Sequence, residues 1–326
     1  MKKVYIVLII VALIFTITLS ACSNQGNDKD NTRDQRKDFL QEQASDIAVV
    51  YYLTNDNNWL IPITMPINST RQVAETSVEK LLAGAPNQFM SSPIPENTKL
   101  ISIYSIDGII FLDLTREILN IEPALAQKAL DCLTNTVLFL DNKAQLQILV
   151  EGQTVKDLGG IDISQPISLK LINSNSDTAA DENHITCYFS DNMAMYLVPK
   201  SYPVSLENVP EDKATLYLAQ QTVKRLIKGP DTQKGLTRTI WPNTKLLDCS
   251  LNKKNLTLNF SPELLDYSGG TTAESMLVNS LLYSLTSIQG INSINILIDG
   301  EIIDYLPEGT DISQALTVSS PLNYLD

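Results

Sequence analysis

Apolar and polar positions along this chain form a series of blocks with clear periods. Ile47–Leu53 and Leu60–Met65 are two β-prone runs on either side of a polar turn, Asn55–Asn58. Ala74, Val78, Leu81 and Leu82 then recur at i, i+4, i+7 and i+8, one face of a helix. Ser69 and Gln72 ahead of them have the spacing of a capping box, and Gly84 and Pro86 end the segment. Leu100–Tyr104 and Ile109–Leu112 predict two strands around Asp107-Gly108, a type I′ hairpin pair. Pro123 opens a second helix with Ala126, Ala129, Leu130, Leu133 and Val137 on one face. Leu146, Ile148 and Val150 alternate into a closing strand, which Glu151-Gly152 turns towards Val155.

The same plan returns further on. Val78-Glu79-Lys80-Leu81-Leu82 matches Val223-Lys224-Arg225-Leu226-Ile227, and Asn97-Thr98-Lys99-Leu100 recurs as Asn243-Thr244-Lys245-Leu246. Ile148–Gly152 matches Ile296–Gly300, and Asp162-Ile163-Ser164-Gln165 recurs as Asp311-Ile312-Ser313-Gln314. The offsets rise in order from 145 through 146 and 148 to 149, as small loop insertions would produce. The second copy carries the helix face Leu216, Ala219, Val223, Leu226, Ile227 and its Gly229-Pro230 stop. It also carries the strand Leu256, Leu258, Phe260, a Thr271/Glu274 capping pair before Leu277, Leu281 and Leu285, and the closing strand Ile294, Ile296, Ile298. A solenoid unit is far shorter. The expected fold is therefore α+β, two tandem small modules of β-α-β-β-α-β order with helices packed on one sheet. Module one spans 47–172 and module two 184–318, with a polar linker at 173–183 and a tail at 319–326.

The N-terminus adds a location. Lys2 and Lys3 precede the apolar run Val4–Leu19, and Leu19-Ser20-Ala21-Cys22 closes it with small residues and a cysteine. Residues 1–22 thus have the layout of a signal peptide. Their end resembles the bacterial lipoprotein lipobox, which implies that Cys22 carries S-linked diacylglycerol and becomes the mature N-terminus, N-acylated or with a free amine. The alternative is an uncleaved anchor, for which the run is marginally long. Residues 23–46 read as a polar flexible tether, because Ser23–Arg36 holds no large apolar side chain.

Composition narrows the partners. The formal net charge is −13, and −15 once Lys2 and Lys3 are removed, which argues against nucleic acid and against charge-driven contact with anionic lipid. An apolar fraction of 44% supports packed cores. Beyond Cys22, Cys132, Cys187 and Cys249 are an odd set without C-x-x-C spacing. Buried free thiols are expected, and a Cys187–Cys249 bridge is the alternative.

Catalytic parts are missing from the pattern. His184 is the one histidine in the chain, at the linker, with no nucleophile motif around it. The sequence contains no G-x-S-x-G, Walker A or G-x-G-x-x-G segment, and nothing that asks for a metal or cofactor. Asp113, between a strand and a helix start, reads as a helix cap because its counterpart Asn259 can cap equally well. Trp59 and Trp241 lie next to turns at different points of the two copies, as rim residues or partner anchors.

Several of these segments carry a family resemblance. Val50-Tyr51-Tyr52-Leu53 with its Asn/Asp turn, Leu81–Pro86, Pro95–Leu100, Leu112-Asp113-Leu114-Thr115 and Val150-Glu151-Gly152 together resemble the GerM domain. The likeness spans 47–318. Module two departs from it at Asn259 for Asp113, Lys228 for Ala83, and Gly229-Pro230 for Gly84-Ala85-Pro86. The resemblance implies a fold like the ring-building modules of secretion and sporulation assemblies. It also implies a non-enzymatic, membrane-anchored scaffold lipoprotein acting in sporulation and later germination. The implied location is the extracytoplasmic face of the membrane, between mother cell and forespore in an endospore former. The implied partners are envelope or sporulation-channel proteins; the alternative is an envelope lipoprotein that recognises peptidoglycan or a cell-wall enzyme.

Overall fold

The computed structural model describes residues 37–175, 178, 180, 183–231, 234–266 and 268–325. The predicted signal segment, Cys22 and the polar stretch to Arg36 lie outside the described residues.

Each module opens on a hairpin, which in module one joins the two β-prone runs on either side of Asn55–Asn58. In module one, β1 (Ser45–Thr54) pairs antiparallel with β2 (Leu60–Thr70), and the short β3 (Met90–Ser91) adds to the other side of β1. Helix α1 (Val73–Leu82) follows the hairpin. A second sheet is built from β4 (Leu100–Ile106) antiparallel to β5 (Ile109–Leu114), with β6 (Gln145–Val150) parallel to β5. Helix α2 (Ala126–Leu138) makes the crossover from β5 to β6. After β6 come β7 (Gln153–Thr154), β8 (Asp157–Leu158), β9 (Ile161–Asp162) and β10 (Ile167–Ser168), of which β7 and β10 pair with β6.

Module two repeats the arrangement with β11 (His184–Asp191), β12 (Leu197–Pro203), α3 (Ala214–Lys228), β13 (Leu236–Thr237), β14 (Leu246–Asn252), β15 (Asn255–Phe260), α4 (Gly270–Thr286) and β16 (Ser293–Ile298). Its sheets run β12-β11-β13 and β14-β15-β16, the last pair again parallel.

The α+β class holds, but the expected β-α-β-β-α-β order on one sheet becomes two main sheets per module, with β8 and β9 a separate two-stranded ladder in module one. Both helices of module one pack against the central hairpin strand β1 and also reach the second sheet, through α1 on β4 and α2 on β6. In module two, α3 and α4 pack in the same way on β11, β14 and β16. The pairing accounts for the difference: β1 lies between β2 and β3 in a sheet of its own, and its run Val50–Leu53 is buried throughout, as a strand covered on both faces must be. The predicted apolar faces are in the core, including Ala74, Val78, Leu81, Ala129, Leu133, Val137, Val223, Leu226, Leu281 and Leu285.

Neither predicted capping box forms. Ser69 is drawn into β2, α1 starts at Val73, and the Thr70 hydroxyl accepts from the Gln72 N–H (3.0 Å). Helix α4 starts behind Gly269, whose φ of 127° is a backbone state that favours glycine. Glu274 instead turns into the protein. It is 1% exposed, and its carboxylate accepts from the backbone N–H groups of Glu308 and Thr310 (2.7 Å each) and from the Thr310 hydroxyl.

The repeated motifs now have local causes. Asp107-Gly108, with φ of 49° and 80°, makes the expected hairpin turn, and both Glu151-Gly152 and Asp299-Gly300 carry two successive positive φ values after β6 and β16. In the two Asn-Thr-Lys-Leu segments, Lys99 and Lys245 exchange hydrogen bonds with Thr115 and Ser261, extending the β4–β5 and β14–β15 ladders through a side-chain hydroxyl.

In the Asp-Ile-Ser-Gln segments, Asp162 accepts from the Ser164 N–H (2.9 Å) and hydroxyl (2.6 Å), and Asp311 accepts likewise from Ser313. The serine hydroxyls hold both carboxyls below the usual aspartate range. A depressed folded value adds stability above the unfolded pKa of about 4 and loses it as pH falls through the folded value. Ser164→Ala is expected to move the Asp162 midpoint upward in a carbon-detected NMR titration while leaving Asp311 in place.

Candidate functional site: inter-module seam and outer surfaces

The hairpin edges β2 and β12 lie side by side, but they do not form a continuous ladder. Pro62 and Pro199 stand at equivalent points of these strands, within Trp59-Leu60-Ile61-Pro62 and Tyr196-Leu197-Val198-Pro199. A proline offers a carbonyl and no N–H, which suits an edge and blocks strand pairing. Two asparagines, one just after each module, bridge the gap. The Asn173 Oδ1 accepts from Leu60 N–H (3.0 Å), while its Nδ2 donates to Leu60 O (2.8 Å) and to Pro199 O across the seam (2.7 Å). The Asn323 amide pairs with Leu197 N–H (2.9 Å) and O (2.8 Å) and donates to Pro62 O across the seam (2.9 Å). Both asparagines adopt positive φ, 50° and 48°, which this residue type tolerates. The contacts map onto each other when the modules are exchanged, so the seam has the form of an isologous twofold interface.

Other contacts obey the same exchange. The last residues of each module run along the other module's hairpin: Ile172 O accepts from Ser201 N–H (3.0 Å), and Leu322 O accepts from the Thr64 hydroxyl (2.7 Å). Trp59 Nε1 donates to Lys234 O in module two, and the equivalent Tyr196 hydroxyl meets the Asn87 side chain in module one (3.0 Å).

The symmetry breaks at Lys200, which occupies the place of Ile63. Lys200 is 1% exposed, donates to Asn173 O (3.1 Å) and Asn175 Oδ1 (3.2 Å), and lies 4.8 Å from the Trp59 ring centre. Burial lowers its pKa, against the pull of Asp231. Arg225 stacks on Tyr202 at 4.1 Å and pairs with Asp231 at 2.6 Å.

The predicted residues fall as follows. Asp113 is not a helix cap. It is buried, and its Oδ1 accepts from the Gly152 N–H (2.9 Å), tying the turn after β6 to β5; Asn259 does the same for Gly300 (2.8 Å). An amide oxygen serves this bond as well as a carboxylate, which accounts for the exchange between copies. Trp59 is a buried seam residue, while Trp241 is half-buried and supplies a backbone carbonyl to Thr244. His184 is the first residue of β11, registered opposite Pro203.

Cys132, Cys187 and Cys249 are free and buried, so the Cys187–Cys249 bridge is absent. Burial pushes all three thiols up, Cys249 to about 11. Among the described residues no three His, Cys, Asp or Glu side chains converge as a metal set, and no helix is long and apolar enough to cross a membrane.

Sequence reasoning missed the seam and one repeated surface feature. Strands β4 and β14 each carry a bulge, after Leu100 and after Leu246. The residue at each bulge is apolar and exposed: Ile101 at 49% and Leu247 at 48%. A bulge interrupts pairing and re-aims a side chain, and here it does so at the same point of both copies. The signal was present in the alignment of the two Asn-Thr-Lys-Leu segments, one residue beyond the matched motif.

Comparison with known proteins agrees with this architecture. The profile of the Germane family, described as sporulation and spore germination, matches residues 49–156 and 186–304. The chain is 21% identical over 311 residues to the spore germination protein GerM of Bacillus subtilis, covering 90% of this chain and 83% of that protein. It is similar in fold to the tandem GerMN domains of the sporulation protein GerM from the same organism. That match has a TM-score of 0.62 at 20% identity, over 86% of this chain and 100% of the other.

Proposed function

This chain belongs to the Germane family of sporulation and spore germination proteins, and on that footing we propose that it is a non-enzymatic scaffold lipoprotein of the sporulating cell. In this reading Cys22 carries the lipid, the polar segment after it spans the distance to the membrane, and the paired modules hold envelope or channel proteins on the extracytoplasmic face.

The observation that carries the scaffold role is the repeated bulge in β4 and β14. The seam fixes two copies of one surface in a single body, and each copy presents an exposed branched apolar residue at a bulge, Ile101 and Leu247. An exposed apolar side chain is common singly. Its recurrence at equivalent bulges, 146 residues apart, is what points to partners that recognise both.

A photo-crosslinking residue at 101 or 247, in the full chain in sporulating cells, is expected to capture envelope proteins. Ile101→Ser with Leu247→Ser is expected to reduce sporulation-complex recovery severalfold without lowering the melting temperature, since exposed changes typically stay within about 0.5 kcal/mol. Retention on purified peptidoglycan with no protein crosslink would overturn the reading. The anchor has its own test: a Cys22→Ala chain is expected to lack the diacylglyceryl mass shift and to leave the membrane fraction.

A further inference from the structure

A cavity of about 500 Å³ opens in module one between α2 and residues 161–174. Its size falls in the range of small-molecule sites. One wall is apolar, formed by Leu130, Ile167 and Leu171. Asp131 and Thr134 also line the cavity, from α2 at i, i+3 spacing. Gln127 donates to Asp131 Oδ1 (2.8 Å), which leaves Oδ2 as the acceptor not used by Gln127. Thr134 is 5% exposed, and its hydroxyl has no hydrogen-bond partner. A buried hydroxyl without a partner is costly and uncommon.

The second module argues that the fold does not require this pair. Thr136 and Ser284 accept from the backbone N–H groups of Tyr51 and Tyr188 (3.0 and 2.9 Å), which aligns α2 with α4 residue by residue. In that alignment Asp131 becomes Asn279 and Thr134 becomes Leu282, a buried apolar residue. The same helix therefore packs well with an aliphatic side chain at this point. Module one has a hydroxyl and a carboxylate there, facing a cavity.

We propose that this cavity binds a short peptide with a lysine-type side chain and a free carboxylate. The ammonium group meets Asp131 Oδ2 and the Thr134 hydroxyl, and the methylene stem lies on Leu130, Ile167 and Leu171. Lys170 and Lys128, whose ammonium also donates to Asn58 O (2.9 Å), line the cavity and receive the peptide carboxylate. Burial holds the Asp131 carboxyl above its usual range despite Gln127 and these two lysines, as expected of a charge short of partners.

The probe is the dipeptide alanyl-lysine, titrated calorimetrically into the full chain in detergent micelles, with the Nε-acetylated dipeptide as comparison. Saturable binding of the free amine and at least tenfold weaker binding of the acetylated form are expected. Asp131→Asn is expected to weaken binding tenfold or more. Thr134→Val is expected to weaken it severalfold while raising the melting temperature, a combination that unfolding cannot produce. The proposal is overturned by absent binding, by equal affinity for the acetylated dipeptide, or by wild-type affinity in both variants.

Discussion

Replacing Asn173 and Asn323 together by alanine is expected to release the two modules from each other while each stays folded. Each asparagine side chain makes three hydrogen bonds, two to its own hairpin and one to the neighbouring module. Alanine leaves Leu60 and Pro199, or Leu197 and Pro62, with backbone groups unsatisfied at a seam that water enters poorly. With about 1 kcal/mol net per bond and more for stranded groups, each change should cost about 2–3 kcal/mol. The two sites share the seam, so the double variant is expected to depart from the sum of the singles. Urea unfolding should change from one transition to two, and small-angle scattering should report a larger radius of gyration. A single transition and an unchanged radius would show that Trp59, Tyr196 and Lys200 hold the seam without the asparagines.

Glu274→Ala is the second large effect. The carboxylate is fully buried and receives two backbone N–H groups and a hydroxyl from the 308–310 segment. Hydrogen bonds to a charged group contribute about 1.5–3 kcal/mol each, so the loss of three, with the 308–310 donors able to turn to water, should cost about 3–5 kcal/mol. Glu274→Gln keeps an acceptor oxygen and should recover about half of that loss, since a neutral acceptor is roughly half as strong. The equivalent place in module one is Ala126, against which Gly159 packs so closely that an added Cβ would lie 2.7 Å away. One copy secures this loop with a carboxylate, the other by close contact, so Gly159→Ala is expected to disturb module one alone. Amide exchange at 157–163 against 306–312 measures the difference.

Much of this fold is legible in the sequence, and the gaps have physical reasons. Helix faces and closing strands follow from periodicity, because α1, α2, β6 and β16 each bury one regular set of side chains. The duplication follows from four ordered matches. Ser69-x-x-Gln72 misleads because local capping chemistry competes with strand extension, and β2 runs on through Ser69 to Thr70, which pairs with Ser45. Asp113 misleads for the opposite reason: its partner Gly152 lies 39 residues away, and nothing local marks it. The seam is hardest to see. It rests on single asparagines at the module ends and prolines at the hairpin edges, residue types that ordinarily signal turns. Only the offset of 150 between Asn173 and Asn323, continuing the series from 145 to 149, places them as counterparts.

The exchange symmetry of the seam has a consequence for how the chain behaves at low abundance. Two separate subunits joined through such a face would dissociate on dilution. Here the partner is supplied by the same polypeptide, so its effective concentration is set by the connection between modules and not by copy number. A few molecules in a cell keep the paired state intact. Fusion also removes the demand that both halves be identical, and a homodimer could not keep Lys200 opposite Trp59 on one side alone. The chain retains a dimer's geometry and has gained the freedom to specialise one half.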